Sequence, residues 1–138
     1  MIKALIDTNI ILDILLKRQP DYANAAIVYG FAKRDFFAGF VSASAITDIY
    51  YIARKELGRK PTKEALKTVL KIFQPADVTG ENIFSALDLE WYDFEDSVQY
   101  VVGESLDVDY IITRNTKDYT PSTISAVTPE KLIELISE

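Results

Sequence analysis

The chain has 138 residues, a length that predicts a single domain spanning 1–138. It contains no cysteine and no histidine, which excludes disulfides, thiol nucleophiles, zinc sites built on those side chains, and acid–base catalysis by imidazole. The net charge of −6, taken alone, argues against a nucleic-acid-binding protein, because such proteins usually present a basic surface.

Neither a targeting segment nor a membrane span is predicted. The apolar run Met1–Leu5 is too short for a signal peptide, and Asp7 follows it closely. No apolar stretch approaches the ~20 residues needed to cross a bilayer. We therefore expect a soluble cytoplasmic protein without membrane contact.

Helices and short, continuously apolar strands alternate along the chain. Strands are predicted from apolar runs bounded by polar residues, and helices from apolar residues that recur every three or four positions. In chain order the predicted elements are a strand at Ile2–Ile6, helices at Ile10–Leu16 and Asp21–Arg34, a strand at Phe36–Val41, a helix from Ser42 or Ser44 to Gly58, a helix from Pro61 to Phe73, a very short strand at Asp77–Val78, helices at Thr79–Glu90 and Asp93–Ser105, strands at Asp109–Thr113 and Thr123–Val127, and a helix opened by Thr128 and Pro129. This alternation is typical of a parallel sheet with helices on both faces.

Acidic side chains follow several of the predicted strands. Asp7 comes directly after the first strand, Asp48 lies a few residues beyond the second, and Asp118 follows the fourth. Asp96 lies in the first turn of the helix that begins near Asp93. Because parallel sheets place ligands beyond the carboxyl ends of their strands, these acids are candidates for one shared site.

Four carboxylates in one site would repel each other and raise each other's pKa, and a divalent cation removes that penalty. Mg²⁺ and Mn²⁺ prefer oxygen ligands, and at such a site they activate water and stabilise an in-line phosphoryl displacement. Without histidine, phosphodiester hydrolysis by this chain would have to depend on a metal. No glycine-rich phosphate loop is present, so a nucleotide cofactor is not expected.

Basic residues are concentrated in one segment. Residues 54–71 carry seven bases against two acids, a local charge of +5, whereas residues 72–113 carry ten acids and no Lys or Arg. Lys63, Lys67 and Lys71 recur every four residues and so share one helix face. This face is either a track for a phosphate backbone or an ordinary solvated surface.

Three segments, in this order and spacing, resemble the motifs of the PIN domain family. Asp7-Thr8-Asn9, followed by Asp13, is similar to the family's opening motif. Residues 93–97 (Asp-Phe-Glu-Asp-Ser) and 113–119 (Thr-Arg-Asn-Thr-Lys-Asp-Tyr) are similar to its third and fourth motifs, in the subfamily with D-F-E-D-A-like and T-R-N-x-x-D-F-like segments. The resemblance covers nearly the whole chain.

The resemblance implies a three-layer α/β/α sandwich with a central, mainly parallel sheet, and Mg²⁺- or Mn²⁺-dependent endoribonuclease activity on an RNA substrate. Many small single-domain members are VapC-like toxins that a cognate antitoxin neutralises and that are often homodimers. Carried over to this chain, Asp7 is the first metal ligand, Asp96 the third acid, and Asp118 supplies or supports the fourth. Asp48 stands where the family usually has Glu, and Asn115 stands where it often has Asp.

The expected site residues combine these assignments with the positions of the strand ends and of the basic residues. Asp7, Asp48, Asp96 and Asp118 are the expected catalytic acids, and the metal is expected on Asp7, Asp96 and Asp118. The expected supporting residues are Thr8, Asn9, Thr113 and Asn115, and the expected RNA-backbone contacts are Arg54, Lys55, Lys63, Lys67 and Arg114.

Each acid also has a structural interpretation. Asp7 is in position to cap the following helix, and Asp118 suits a turn. The other acids, Asp48, Glu95 and Asp96, lie near the starts of their helices, where negative charge is favourable. Asp13 is interpreted as a solvated or supporting acid. At the level of function, the alternatives are an inactive PIN scaffold that binds RNA or a protein, favoured by Asp48 and Asn115, and a receiver-type signalling domain with an acidic pocket.

Overall fold

In the computed structural model, which describes residues 1–138, five strands alternate with seven α-helices. The strands are β1 (Lys3–Ile6), β2 (Ala38–Ser42), β3 (Phe73–Ala76), β4 (Tyr110–Ile112) and β5 (Ser125–Val127). The helices are α1 (Thr8–Leu16), α2 (Tyr22–Lys33), α3 (Ala43–Leu57), α4 (Arg59–Ile72), α5 (Gly80–Leu87), α6 (Phe94–Ser105) and α7 (Pro129–Ser137), and a 3₁₀ helix (Thr116–Tyr119) lies between β4 and β5.

The strands form one sheet in the order β3-β2-β1-β4-β5, and every neighbouring pair is parallel. Alternate residues of β1 enter separate cores: Ala4 and Ile6 pack with α1–α4 and α7, whereas Leu5 packs with α5 and α6. Two helical layers therefore cover the two faces, and the predicted three-layer α/β/α architecture is confirmed. Receiver domains have the strand order 2-1-3-4-5, so this topology excludes the receiver alternative.

The edge strand β3 lies earlier in the chain than predicted. The sequence placed a short strand at Asp77–Val78 and counted Phe73 as the last residue of a helix, but Phe73 is the first residue of β3. Pro75 explains the difference, because proline cannot continue a helix and is tolerated in an edge strand. Opposite Phe73, a Cβ on Gly39 would lie 2.6 Å from the ring, so this close approach requires glycine.

Several predicted helix boundaries are confirmed. Gly58, with φ of 86°, ends α3 and leads directly into α4. The Thr128 hydroxyl accepts a hydrogen bond from the backbone N–H of Lys131 at 3.2 Å, with Pro129 as the first residue of α7. Local sequence thus determines where these elements begin and end.

The carboxyl ends of β1 and β4 lie side by side at one edge of the sheet. The backbone N–H of Asp7 donates to the carbonyl of Ile112 at 2.9 Å, so the residues after the two strands are direct neighbours. None of the helices combines the length and apolar character that spanning a membrane requires.

Candidate active site

An open cavity of about 470 Å³ lies at this carboxyl edge. All four predicted catalytic acids line it, together with three of the four predicted supporting residues. The complete lining is Asp7, Thr8, Asn9, Leu12, Asp48, Tyr51, Ile52, Asp93, Glu95, Asp96, Asn115 and Asp118. Tertiary structure therefore gathers side chains from α1, α3, α6 and the segment after β4 into one site.

Asp7 is held by side chains from two other elements. Its Oδ2 accepts a hydrogen bond from the Thr113 hydroxyl at 2.7 Å, and its Oδ1 accepts one from Nε2 of Gln99 at 3.2 Å. The residue is only 6% exposed. Although Asp7 occupies the N-cap position of α1, its carboxylate caps no backbone N–H, so the capping interpretation is wrong.

Asp96 enters the cavity from the first turn of α6. Asp93 is the N-cap of this helix, since its Oδ1 accepts from the backbone N–H of Asp96 at 3.0 Å. Oδ1 of Asp96 accepts a hydrogen bond from the Tyr119 hydroxyl at 3.2 Å. Burial raises the pKa of Asp96 to about 7, with further contributions from the charges of Asp93 and Asp7.

Of the four predicted catalytic acids, Asp48 and Asp118 are the exposed ones, whereas Asp7 is buried and Asp96 is half-buried. Asp48 projects from the second turn of α3, and Asp118 lies in the 3₁₀ helix. Neither carboxylate is held by a hydrogen bond from the protein. Both are therefore free to reorient toward a ligand, in contrast to Asp7.

Glu95 lines the site, although its position in the sequence predicts only a structural role at the start of α6. It lines the cavity, and its Oε1 accepts a hydrogen bond from the Thr8 hydroxyl at 3.0 Å. Burial raises the pKa of Glu95, as do the nearby charges of Asp48, Asp7 and Asp93, while the Thr8 hydrogen bond opposes the rise. An acid in the first turn of a helix is already explained by the helix dipole, so nothing in the sequence marked Glu95 as a site residue.

Gln99 and Tyr119 lie beneath the cavity and were not predicted as site residues. Nε2 of Gln99 donates to Asp7 and also to the Tyr119 hydroxyl at 3.2 Å, and that hydroxyl donates to Asp96. Burial raises the pKa of Tyr119, and the charges of Asp7 and Asp96 raise it further, so the hydroxyl keeps its proton. One feature of the sequence could have pointed to Gln99. It lies three residues after Asp96, and this spacing puts both side chains on one face of α6.

Asp13 is buried rather than solvated. It is 1% exposed, and its two carboxylate oxygens lie 2.9 Å from Nε of Arg18 and 2.9 Å from Nε of Arg114. Arg114 also pairs with Asp21 at 3.3 Å and does not line the cavity. These ion pairs anchor the segment after β4, which carries Asn115 and Asp118, to α1 and to the residue before α2.

The other predicted RNA-contacting bases, Arg54, Lys55, Lys63 and Lys67, are exposed, and none forms an ion pair. Arg54 is the one that the structure ties to the cavity, because its guanidinium lies 5.4 Å from the ring centre of Tyr51, a lining residue. Lys63 and Lys67 lie on α4 and do not line the cavity.

Comparison with known proteins identifies the family of this chain. The family profile described as PIN domain matches residues 3–117. The chain belongs to the PIN domain family.

Relatives of this PIN domain extend over nearly its whole length. The curated protein Ribonuclease VapC1 of Aquifex aeolicus (strain VF5) is 24% identical over 137 residues, which cover 96% of this chain and 94% of the relative. Among solved structures, VapBC2 of Rickettsia felis bound to a promoter DNA fragment matches with a TM-score of 0.70 at 15% identity, covering 92% of this chain and 98% of that one. A toxin–antitoxin complex from Klebsiella pneumoniae matches with a TM-score of 0.69 at 23% identity, covering 91% and 97%.

The donor set of this PIN domain fits a hard divalent cation. Six carboxylates and no Lys or Arg line the cavity, and the raised pKa of Asp96 reflects burial together with negative charge that no base offsets. No three of the carboxylates are close enough to hold one ion between them. Mg²⁺ is usually bound through one or two carboxylates, with waters and substrate phosphates completing the shell, so the site fits that mode of binding.

Proposed function

We propose that this PIN domain is a Mg²⁺- or Mn²⁺-dependent endoribonuclease and the toxin of a toxin–antitoxin pair. The observation that carries the proposal is the acidic cavity, in which Asp7 and Asp96 are joined through buried hydrogen bonds and no base is present. The similarity to Ribonuclease VapC1 over nearly the whole chain supports the same activity.

In this proposal Asp7 and Asp96 would hold the cation, and Asp118 in the 3₁₀ helix would be the further acid available to it. When bound, the cation lowers the pKa of a water and offsets the charge that develops on the scissile phosphate. Asp48, one methylene shorter than the Glu usual in the family, would act on the cation through a water.

Four polar residues support these acids. Thr113 fixes one oxygen of Asp7, and Thr8 fixes Glu95. Asn9 and Asn115 line the cavity with neutral amides, which orient a phosphate or water without adding negative charge.

Electrostatics make the cation a requirement for substrate binding at the acids. A phosphodiester that approaches six carboxylates is repelled until positive charge is added between them. The bases Arg54, Lys55, Lys63 and Lys67 would hold the flanking RNA backbone, since none is occupied by an ion pair.

The proposed protein partners are a cognate antitoxin and a second copy of this chain, in the cytoplasm. The similarity to a VapBC2 complex and to a toxin–antitoxin complex supports the antitoxin. Large apolar side chains that remain exposed supply surface for such contacts. They include Tyr51, Ile52, Phe84, Leu87, Tyr92 and Phe94.

RNA cleavage with Mn²⁺, with EDTA and in the Asp7→Asn variant tests the proposal. We expect EDTA to abolish cleavage and Asp7→Asn to reduce it by about 100-fold or more, because a held ligand of the cation loses its charge. Asp77→Asn, which removes an exposed acid outside the cavity, is the matched control and should cleave as the unmodified protein does.

Cleavage that survives both EDTA and Asp7→Asn would contradict the proposal. The alternative of an inactive scaffold is favoured by Asp48 and Asn115, which replace the family's usual acids. Calorimetric titration with Mn²⁺ separates the two, since no binding, or binding that Asp96→Asn leaves unchanged, would support the scaffold.

A further inference from the structure

Gln99 is a fully buried amide in the centre of α6, where an apolar side chain would be the ordinary choice. It is 1% exposed, and its neighbours Val98 and Val101 belong to the apolar core against this face of the sheet. Its Oε1 is buried and accepts no hydrogen bond from the protein. A buried carbonyl without a partner destabilises the folded state, so packing alone does not explain this residue.

Both N–H groups of the Gln99 amide donate hydrogen bonds to residues at the candidate active site. One N–H donates to Oδ1 of Asp7 and the other to the Tyr119 hydroxyl, each at 3.2 Å. Because an ionised carboxylate only accepts, the NH₂ group and not Oε1 must face Asp7. The Tyr119 hydroxyl then has one proton left to donate, and it donates to Oδ1 of Asp96.

These three hydrogen bonds make one directed chain between carboxylates that come from different parts of the fold. Asp7 follows β1, whereas Asp96 belongs to α6, and no direct bond joins them. The chain fixes one oxygen of each acid from below, while the Thr113 hydroxyl fixes the second oxygen of Asp7. Gln99 and Tyr119 thus link the two acids through hydrogen bonds.

We propose that Gln99, acting with Tyr119, is a positioning residue that sets the orientation of Asp7 relative to Asp96 for divalent-cation binding. This inference rests on the proposed function, because it assigns the pair a role toward the cation that Asp7 and Asp96 would hold. Groups that hydrogen-bond a metal ligand typically contribute 10–100-fold to metal affinity.

Two variants test the inference without removing any carboxylate. Gln99→Met keeps the volume of the side chain and removes both donors. Tyr119→Phe keeps the ring, which packs edge-on against Trp91 at 6.0 Å between centroids, and removes only the hydroxyl. Thr62→Val is the matched control, because the Thr62 hydroxyl is also buried without a partner but lies on α4, away from the cavity.

Mn²⁺ affinity, measured by calorimetry, is the deciding readout, with thermal unfolding in EDTA as the check that each variant folds. We expect Gln99→Met to weaken Mn²⁺ binding by roughly 10–100-fold and Tyr119→Phe to weaken it by a smaller factor. The double variant should bind about as weakly as Gln99→Met, since both substitutions break one chain. Thr62→Val should bind Mn²⁺ like the unmodified protein.

The possible results separate this inference from the function on which it rests. An unmodified protein that binds no Mn²⁺ would overturn the proposed function and this inference together. Mn²⁺ binding by the unmodified protein, unchanged in Gln99→Met and Tyr119→Phe, would overturn the inference alone. If Gln99→Met does not fold, Tyr119→Phe decides, and an unchanged affinity in that variant overturns the inference.

Discussion

Asp96 is the residue whose chemistry depends most visibly on its surroundings. On an isolated helix it would be an ordinary acid in the first turn, and Asp93 already caps that turn. In the folded chain, burial and the charges of Asp93 and Asp7 raise its pKa to about 7. The metal-free protein therefore holds a proton on Asp96 over a range in which the unfolded chain does not.

This difference predicts a pH-dependent effect of Asp96→Asn. An acid whose pKa is higher in the folded state loses its contribution to stability as the pH rises, here between about pH 4 and pH 7. In EDTA at pH 8 we expect Asp96→Asn to unfold at a higher temperature than the unmodified protein, and at pH 5 the difference should be clearly smaller. Thermal unfolding followed by circular dichroism at both pH values measures this difference in unfolding temperature.

Asp77→Asn is the control for this experiment, since it removes an exposed acid outside the cavity. Addition of Mn²⁺ at pH 8 should reverse the order, because the cation stabilises the ionised carboxylate that the variant lacks. An Asp96→Asn protein that unfolds at or below the temperature of the unmodified protein at pH 8 in EDTA would be inconsistent with the raised pKa.

Among the elements, the segment after β4 shows how ion pairs place a site. Arg114, which the sequence predicts as an RNA contact, lies between Asp13 of α1 and Asp21. Asp13 also forms an ion pair with Arg18 and is buried, so two guanidinium groups share one buried carboxylate. Tethering this segment to α1 keeps Asn115 at the cavity that Asp7 also lines.

We expect Asp13→Asn to lower the free energy of unfolding by about 2–3 kcal/mol. Breaking a fully buried ion pair costs about 3–5 kcal/mol, and the loss is smaller here because both arginine side chains are about a third exposed. Urea denaturation measures it. Glu134→Gln is the matched control, because its 3.9 Å pair with Lys131 is exposed on both sides and should contribute less than about 0.5 kcal/mol.

A drop in stability after Asp13→Asn no larger than that of Glu134→Gln would show that the Asp13 cluster does not anchor the segment. The same variant should also reduce RNA cleavage under conditions where it is folded, because Asn115 and Asp118 would lose their fixed position.

At the scale of the whole molecule, the charges are unevenly distributed. Six of the 21 acids line one cavity, while seven bases lie within residues 54–71. The net charge of −6 does not reflect this uneven distribution, so the net charge says little about binding to nucleic acid. For binding to nucleic acid, the relevant property is where the basic residues lie on the surface.

Replacing both Lys63 and Lys67 by Ala tests whether the basic segment holds RNA. We expect weaker binding of single-stranded RNA, and a slope of log K against log salt concentration that is smaller by up to about 1.4, which is roughly 0.7 for each lost phosphate contact. Fluorescence anisotropy in EDTA measures binding without cleavage. Lys33→Ala on α2 is the single-charge control, and an equal change per lysine in both proteins would indicate only a general charge effect.

The sequence was sufficient for the layout of the fold and for most of the cavity. Short apolar runs that alternate with helices require a parallel sheet, and a parallel sheet brings the ends of β1 and β4 to one edge. Asp7, Asp48, Asp96 and Asp118 could therefore be placed together before any distance was known. Their presence in one cavity is confirmed.

Boundaries and burial were less predictable from local sequence. Phe73 continues the helical spacing of the preceding residues, and only pairing with β2 makes it a strand residue. Asp13 looks like an exposed acid on an amphipathic helix, and only the arrival of Arg114 from the other half of the chain buries it. In both cases a distant segment overrides the local pattern.

The order of the elements, the absence of imidazole and thiol chemistry, and the acids at the sheet edge could all be derived from the residues alone. How those acids are held depends on the packing of distant elements. Gln99 and Thr113 reach Asp7 from positions 92 and 106 residues away, and Tyr119 reaches Asp96 across 23. Hydrogen-bond geometry depends on which side chains fill the space between packed elements, and residue spacing along one element does not encode that contact.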